Sequence, residues 1–282
     1  MNDKHLLALY GLTYNPFLPD IPIEALWQPP GIELFISRIN SLVTYGGFAL
    51  ISGEAGVGKS KILHILANRL DKVGDLVVGV MERPQSSMAD FYRELGEVFN
   101  VNLTPANRYG GFRALRTRWR DYIKTTLLRP VLLVDEAQEM PSECLNELRL
   151  LGSAHFDSQC LLTTVVCGDN RLPQRFRSYH LLSLGRRIRT RLKLDPLEPQ
   201  DLMEYLEHSL DQAGAHHLMS QKLKDTLCEH AAGNLRLLAN MAAELLAAGA
   251  DRNLAALDES LYLELFSPHI KAQRKKRTTA TG

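Results

Sequence analysis

The sequence predicts an α/β domain in which helices cover both faces of a parallel sheet, followed by a small region made only of helices. Apolar runs at residues 48–51 and 131–134 have the composition of buried parallel strands. The first run leads into a glycine-rich loop, and the second ends at two carboxylates. From residue 199 onward, apolar residues recur only at helical spacing. Strands alternating with helices, then helices alone, indicate a three-layer core with a helical lid.

The loop after the first strand, Gly53 to Ser60, fits the P-loop pattern G-x-x-x-x-G-K-[ST] at every fixed position. Its glycines allow a tight turn whose N–H groups face phosphate oxygens beside a helix N-terminus. Lys59 is expected to reach the β- and γ-phosphates of ATP, and Ser60 to bind Mg²⁺. The predicted nucleotide-binding residues of this loop are Gly53, Glu54, Ala55, Gly56, Val57, Gly58, Lys59, Ser60 and Lys61.

The second apolar strand places Asp135 and Glu136 at its carboxyl end, where ligands bind in open α/β sheets. Asp135 is expected to contact the nucleotide by holding Mg²⁺ through water, and Glu136 to polarise the attacking water. Two surface carboxylates that cap a strand would be ordinary on their own. Together with the P-loop they predict that ATP is hydrolysed as well as bound.

The remaining pattern extends this alternation along the chain. Helices are predicted in the core at 32–43, 61–70, 88–99, 112–128 and 142–151. Further strands are predicted at 76–81, 161–167 and 191–194. Helices are predicted in the lid at 199–213, 221–231 and 235–248. The predicted domains are an N-terminal segment at 1–31 that contributes to the nucleotide pocket, the core at 32–197, the lid at 198–268, and a disordered basic tail at 269–282.

Composition narrows the class of protein. The 282 residues suit one large domain or one domain with a small companion. A net charge of +1 excludes a whole-molecule field that would draw the protein to nucleic acid. The four cysteines lack disulfide or metal spacing, which favours a reduced, cytoplasmic setting. No signal-peptide core and no apolar run near the ~20 residues of a membrane span occur, so no membrane partner is expected.

Several motifs together resemble one family. Residues 10–17 read Tyr-Gly-Leu-Thr-Tyr-Asn-Pro-Phe, residues 135–138 read Asp-Glu-Ala-Gln, Gly168 ends a predicted strand, and residues 233–238 read Gly-Asn-Leu-Arg-Leu-Leu. With the P-loop, these stretches resemble the ExeA-like branch of AAA+ ATPases over residues 10–246. The resemblance implies an AAA+ fold and side-by-side subunits with ATP between neighbours. That family includes secretion proteins and ATP-dependent regulators of DNA transposition.

The resemblance also implies functional arginines. Arg236 matches a lid arginine that contacts the γ-phosphate and reports its loss to the lid. Arg187 and Arg191 match positions where basic residues face the nucleotide of the next subunit. An arginine acting in trans can be worth on the order of 10³–10⁵ in rate. Which of Arg186, Arg187, Arg189 and Arg191 acts in trans stays open.

Two departures from the family pattern bear on hydrolysis. Where relatives carry a polar sensor after the strand-ending glycine, this chain has Asp169, whose charge would repel a γ-phosphate. Asn170 is therefore expected to serve as the sensor, or hydrolysis is slow. Where many relatives carry Asn at the end of the second strand, this chain has Glu82 and Arg83. That difference puts the coupling between DNA and Glu136 in doubt.

Positive charge is concentrated on the predicted helix at 112–128. Arg113, Arg116 and Arg120 lie on neighbouring turns of one face, spaced to follow a phosphate backbone. With Lys124 they are the predicted DNA contacts, although a solvated helix face is the alternative meaning of such a charge run. The sequence contains no base-reading motif, so binding is expected to the backbone of double-stranded DNA, largely independent of sequence.

These expectations combine into an ATP-dependent, DNA-binding regulator of DNA transposition. ATP would build a homo-oligomer or filament on double-stranded DNA, and hydrolysis assisted by Glu136 would dissolve it. The assembly would recruit or activate a transposase, with an adaptor protein as a further partner. Three alternatives stay open: an ExeA-like secretion-assembly ATPase, an ATP-gated scaffold that hydrolyses slowly, and a protein similar to a helicase loader.

Overall fold

The chain is described by a computed structural model that covers residues 3–82, 87–104 and 107–266. These residues belong to two compact units: the α/β unit, Gln28–Asp195, and the helical unit, which combines Met1–Trp27 with Pro196–Gly282. Most of the predicted N-terminal segment thus groups with the helices, and its contribution to a nucleotide pocket stays a prediction. Arg83 and the predicted tail at 269–282 lie outside the described residues.

The predicted helices and strands occur in the predicted order, together with several elements that the sequence does not predict, and within the described residues only helices follow β7. The helices are, in chain order, α1 (Asp3–Tyr10), α2 (Ile32–Tyr45), α3 (Lys59–Asp71), α4 (Met88–Val98), α5 (Arg108–Asp121), α6 (Ser142–Gly152), α7 (Arg171–Arg175), α8 (Leu182–Gly185), α9 (Pro199–Ala213), α10 (Gln221–Ala231), α11 (Leu235–Asp251) and α12 (Glu259–Phe266). The strands are β1 (Gly47–Gly53), β2 (Leu76–Met81), β3 (Arg129–Val134), β4 (Ser153–Ala154), β5 (Gln159–Cys160), β6 (Thr163–Gly168) and β7 (Ile188–Leu194).

Five parallel strands form the main sheet of the α/β unit, in the order β2-β3-β6-β1-β7. β1 is buried along its whole length, as expected for a strand covered by helices on both faces. β6 pairs with β1 on one side and with β3 on the other. Because parallel strands end at the same edge of a sheet, the loop after β1 and the carboxylates after β3 lie to either side of the end of β6. The predicted α/β fold class is confirmed.

Helices α4, α5 and α6 pack with the sheet into one apolar core. Trp119 of α5 is fully buried and meets Phe99 edge to face, with ring centroids 5.2 Å apart. Gly111 of α5 faces Tyr92 of α4, and a Cβ at this glycine would lie 2.8 Å from a ring carbon. Gly111 therefore permits the close approach of α4 and α5. That approach buries large side chains such as Trp119, and each contributes about 1.5–3 kcal/mol to the stability of the fold.

Helix α5 differs from the prediction at both ends. It begins at Arg108 rather than at 112, because Asn107 caps it by accepting a 2.8 Å hydrogen bond from the N–H of Gly110. Gly110 and Gly111 lie in its first turn, and because glycine has low helix propensity, the sequence does not predict a helix start at Arg108. At the other end, a π-helical turn at Tyr122–Thr126 replaces the predicted final α-helical turns. Leu127 then takes a left-handed conformation with φ of 58°.

Strand β7 begins at Ile188, before its predicted start at 191. Ile188 and Thr190 are buried, whereas Arg189 and Arg191 alternate with them on the exposed face. These charges mask the strand pattern in the sequence, although exposed charges are common on an edge strand because they discourage pairing with other chains. The short antiparallel hairpin β4–β5 and the helices α1, α7, α8 and α12 also lie outside the prediction.

The helical unit is held together by leucine-rich faces of α9, α10 and α11. All three helices begin where the sequence predicts them. Ser220 caps α10 by accepting a hydrogen bond from Leu223, and Asn234 caps α11 by accepting one from Leu237. Helix α1 adds Leu6 to the same core. Within the described parts of the chain, no helix has the length and apolar character needed to cross a membrane.

Candidate nucleotide-binding and hydrolysis site

The P-loop joins β1 to α3, and glycines determine its shape. A Cβ at Gly53 would lie 2.5 Å from a main-chain carbonyl oxygen of β7, so a side chain has no room there. Gly56 and Gly58 have φ of 84° and 100°, in the left-handed region that favours glycine. Lys59 begins α3, and its Nζ donates a 2.8 Å hydrogen bond to the carbonyl oxygen of Glu54. The lysine therefore folds back over the loop predicted to hold phosphate.

Cys167 of β6 lies between the two predicted motifs. Burial raises the pKa of its thiol well above the ordinary value, and the carboxylate of Asp135 raises it further, whereas the ammonium of Lys59 lowers it. Cys167 pairs in register with Ile51 of β1, and its neighbour Val166 pairs with Val134 of β3, the residue before Asp135. The structure thus brings the lysine of the P-loop and the predicted Mg²⁺ ligand after β3 together at one edge of the sheet.

The donors at this edge fit Mg²⁺ held jointly with a nucleotide. Mg²⁺ prefers oxygen ligands, usually one or two carboxylates together with waters and phosphate oxygens. Ser60 is exposed in the first turn of α3, and Asp135 is half-buried after β3. The described residues hold no cluster of three or more His, Cys, Asp or Glu side chains that could bind a metal alone. The oxygen donors of Ser60 and Asp135 suit Mg²⁺, and their role as its ligands stays a prediction.

Glu136 occupies an unusual backbone conformation at the end of β3. Its φ is 48°, in the left-handed region that residues other than glycine rarely adopt. Its N–H donates a 2.8 Å hydrogen bond to Oδ1 of Asp135, whose own N–H donates to the carbonyl oxygen of Met81 at 3.0 Å. These bonds fasten the turn to β2, and the Glu136 side chain is exposed at the sheet edge.

Gln138 is the residue of this site to which the sequence assigns no role. Its amide Nε2 donates to Oε2 of Glu136 at 2.5 Å, and its Oε1 accepts a 3.1 Å hydrogen bond from the N–H of Asp169. Gln138 stands in the Asp-Glu-Ala-Gln stretch of the sequence, which is the signal that could have drawn attention to it. Its partner Asp169 is too distant in sequence for any local pattern to reveal.

Comparison with known proteins establishes the class of this fold. Residues 43–176 match a family described as an AAA domain. The chain superposes on the ORC2 protein of Aeropyrum pernix in ADPNP–ADP complexes with a TM-score of 0.68 at 15% identity, covering 90% of this chain and 71% of that one. It also superposes on Drosophila ORC bound to DNA with a TM-score of 0.68 at 14% identity, covering 95% of this chain and 67% of that one. The fold is that of an AAA+ P-loop ATPase.

A curated relative shares more sequence with this chain than those structures do. General secretion pathway protein A of Aeromonas hydrophila is 30% identical over 234 residues, which cover 81% of this chain. The chain spans 42% of the length of that relative. The similarity supports the ExeA-like character predicted from the motifs. It carries no information about a transposition role.

The predicted sensor position at the end of β6 carries a carboxylate that is paired with an arginine. Asp169 accepts hydrogen bonds from the N–H of Arg171 at 2.8 Å and from its Nε at 2.7 Å. The same guanidinium donates to Glu139 at 2.5 Å. The expected repulsion between Asp169 and a γ-phosphate is therefore reduced by Arg171, an arginine for which the sequence predicts no role. Asn170 is exposed, and its sensor role stays a prediction.

The predicted trans arginines lie in different settings. Arg187 pairs with the carboxylate of Asp157 in the β4–β5 loop and donates to Oγ of Ser153 at 3.0 Å. Arg191, on the exposed face of β7, donates to the carbonyl oxygen of Gly185 at 3.0 Å. Arg236 is exposed in the first turn of α11, in the helical unit. The roles of these three arginines toward a nucleotide stay predictions.

One of the four predicted DNA contacts, Arg116, has hydrogen-bond partners within the protein, and its contact with DNA stays a prediction. The guanidinium of Arg116 donates to the carbonyl oxygens of Leu150 at 2.8 Å and Leu151 at 3.2 Å, and also to that of Ser153. These carbonyls end α6, where the helix dipole favours a cation. Arg116 therefore serves to join α5 to α6. Arg113 and Lys124 are exposed and Arg120 is half-buried, so these three also remain candidates for DNA contact.

Proposed function

We propose that this chain is an ATPase that binds Mg²⁺–ATP at the P-loop and hydrolyses it with Glu136. The observation that carries the proposal is the strand order: β6 pairs with β1, which leads into the P-loop, and with β3, which ends just before Asp135 and Glu136, so both motifs lie at one edge of the sheet. The match of residues 43–176 to an AAA domain supports the same activity, since this class generally hydrolyses nucleotides.

Each residue of the site has a distinct part in this mechanism. The N–H groups of the P-loop bind the phosphates, and Lys59 exchanges the Glu54 carbonyl oxygen for phosphate oxygens, which are stronger acceptors because they are charged. Ser60 and Asp135 would hold Mg²⁺, which would supply positive charge against the phosphates. Glu136 accepts a hydrogen bond from the attacking water and orients it toward the γ-phosphate.

We further propose that ATP is held between neighbouring subunits of a homo-oligomer. Arg187 and Arg191 are the candidates for an arginine that reaches the next subunit, and Arg236 for a lid sensor. The AAA+ fold supports this arrangement. In that assembly Arg187 releases Asp157 and binds phosphate oxygens of the neighbouring subunit's ATP. Assembly therefore breaks the ion pair between Arg187 and Asp157.

The proposed partner is double-stranded DNA, bound along its backbone by α5. Arg113, Arg120 and Lys124 supply the positive charge, and the similarity to an ORC structure described as bound to DNA supports the choice. Regulation of DNA transposition, with a transposase and an adaptor protein as partners, is the finer form of this proposal. It rests on the motif resemblance alone.

A second candidate is assembly of a secretion apparatus. The 30% identity to general secretion pathway protein A favours it. In that function the partner is another protein, and ATP hydrolysis does not respond to DNA. The two candidates therefore differ in a property that can be measured directly.

The deciding experiment measures binding to duplex DNA with ATP, with ADP and without nucleotide, at two salt concentrations, with assemblies viewed by electron microscopy. ATP-dependent assemblies that weaken with salt support the DNA switch, because each neutralised phosphate steepens the salt dependence. The variant Arg113→Ala/Arg120→Ala should lose this binding, whereas Arg38→Ala, an exposed arginine on α2, should keep it. Intact ATP hydrolysis with no DNA binding in any nucleotide state would overturn the DNA proposal and favour the secretion candidate.

A further inference from the structure

The side chain of Gln138 connects the ends of two strands. It is 8% exposed, although it follows closely after the exposed Glu136. On one side its Nε2 donates to the Glu136 carboxylate, and on the other its Oε1 accepts from the N–H of Asp169, the first residue after β6. A buried amide that is satisfied at both ends has a defined position.

The chemistry of the two partners also determines which way the amide faces. A carboxylate only accepts hydrogen bonds and a backbone N–H only donates them. Reversing the amide would therefore place Oε1 against the Glu136 carboxylate and Nε2 against the N–H of Asp169, which loses both bonds. Gln138 thus presents a donor to Glu136 and has no second arrangement at this site.

Two further residues restrict Gln138. Gly168 leaves the space for its amide, because a Cβ at this position would lie 2.4 Å from Oε1 of Gln138 and 2.9 Å from Cδ2 of Leu172. Arg175 holds the backbone of Gln138 by donating to its carbonyl oxygen at 2.5 Å. The position of the amide is therefore determined by β6 and by α7 as well as by its own turn.

We infer that Gln138 is a positioning residue that aims the Glu136 carboxylate and ties it to the end of β6. This inference rests on the proposed function, since it concerns the residue assigned to orient water. Glu136 is exposed and its backbone is in the left-handed region, so packing alone does not determine the direction of its side chain. Asp169, at the other end of the bridge, lies beside the predicted sensor Asn170. A displacement of the β6 end therefore moves the carboxylate.

The first test replaces the amide by an apolar side chain of similar size, Gln138→Leu. Loss of a positioning partner commonly lowers activity by about 10–100-fold. We expect single-turnover ATP hydrolysis to fall by that factor, while the dissociation constant for a fluorescent ATP analogue changes less than about threefold, because the P-loop is untouched. Wild-type hydrolysis by Gln138→Leu would overturn the inference. An equal loss of nucleotide affinity would overturn it as well, since that pattern indicates a general structural defect.

A second variant reaches the same contact from the opposite side. Gly168→Ala should displace the amide and slow hydrolysis to a similar extent. Gln138→Ala/Gly168→Ala should be little slower than Gln138→Ala, because the shortest contact, 2.4 Å to Oε1, disappears with the amide, and the remaining one, 2.9 Å to Cδ2 of Leu172, involves the end of a flexible side chain. Additive losses would overturn the inference. Urea unfolding of each variant confirms that folded protein is compared. If wild type fails to hydrolyse ATP, the proposed function itself is wrong. A hydrolysing wild type with unaffected Gln138 variants refutes only the positioning role.

Discussion

The P-loop and the carboxylate end of the sheet differ in how many stretches of chain build them. The P-loop is one continuous segment from Gly53 to Ser60, whose glycines create its shape and whose lysine folds back onto Glu54. The carboxylate end combines the turn after β3 with the end of β6 and with α7, joined through Gln138 and Arg175. A continuous loop is specified by its own residues, whereas an assembled site depends on the packing of elements that are distant in sequence.

The largest expected effect lies at the assembled site. Glu136→Gln keeps the size of the side chain but removes its charge and its ability to accept a proton. General-base catalysis typically contributes 10²–10⁴-fold, so the rate of ATP hydrolysis should fall by about that factor while ATP binding is retained. Phosphate release measures the rate. The matched control is Glu143→Gln, an exposed glutamate in the first turn of α6. A Glu136→Gln variant that hydrolyses ATP at the wild-type rate contradicts the role of Glu136.

The next effect tests the continuous site. Lys59→Ala removes a charged donor from the P-loop, and hydrogen bonds to charged groups contribute about 1.5–3 kcal/mol each. Since Lys59 is predicted to contact two phosphates, the affinity for ATP should fall by about 10²–10⁴-fold. Equilibrium dialysis or calorimetry measures it, with Lys72→Ala at the opposite end of α3 as the control. An unchanged affinity would contradict the predicted contact between Lys59 and the phosphates.

The same contrast explains what the sequence could predict. β2 and α9 have their predicted bounds because their signals are local. β2 coincides with a continuous, mostly apolar run, and α9 ends just before Gly214, which caps it. The P-loop residues are equally local. The partners of Arg116 within the protein could not be predicted, because a long cationic side chain pairs with whichever acceptors the packing of helices provides, and here these are carbonyl oxygens at the end of α6. For the same reason, the sequence contains Gln138 but does not show that the end of β6 lies beside it.

Helix α6 begins shortly after Glu136, so the contacts that hold α6 in place also bear on the assembled site. Glu147 of α6 is 2% exposed, and it accepts hydrogen bonds from Tyr92 at 2.5 Å and from Arg108 at 3.0 and 2.5 Å. Arg108→Ala should destabilise the fold by about 1.5–3 kcal/mol, because the buried Glu147 carboxylate loses two charge-assisted hydrogen bonds from the exposed Arg108 and keeps the one from Tyr92. Thermal unfolding measures the loss. Arg113→Ala on the same helix is the control, and equal melting temperatures for the two variants would contradict the expectation.

The pH dependence of that loss follows from the pKa of Glu147. Burial acts to raise this pKa, but hydrogen bonds from Arg108 and Tyr92 lower it more, so it lies below the ordinary value. The stability that the pair contributes is therefore complete above about pH 4.3, the usual pKa of glutamate, and is lost as the pH falls through the lowered value. The difference between wild type and Arg108→Ala should accordingly shrink in acid. A difference that is independent of pH would assign the loss to packing.

The smallest expected effect separates two arginines on one helix. Arg113 is exposed, whereas Arg116 is half-buried against the end of α6, and burial lowers the pKa of its guanidinium. If α5 follows the DNA backbone, Arg113→Ala should reduce the slope of log K against log salt by about 1 and leave the urea midpoint unchanged. Arg116→Ala should do the reverse: it frees the last carbonyls of α6 and lowers stability by about 1–2 kcal/mol. Equal changes in slope would mean that the charge of Arg116 also reaches DNA, and then the bonds to α6 do not determine which arginines are available to a partner.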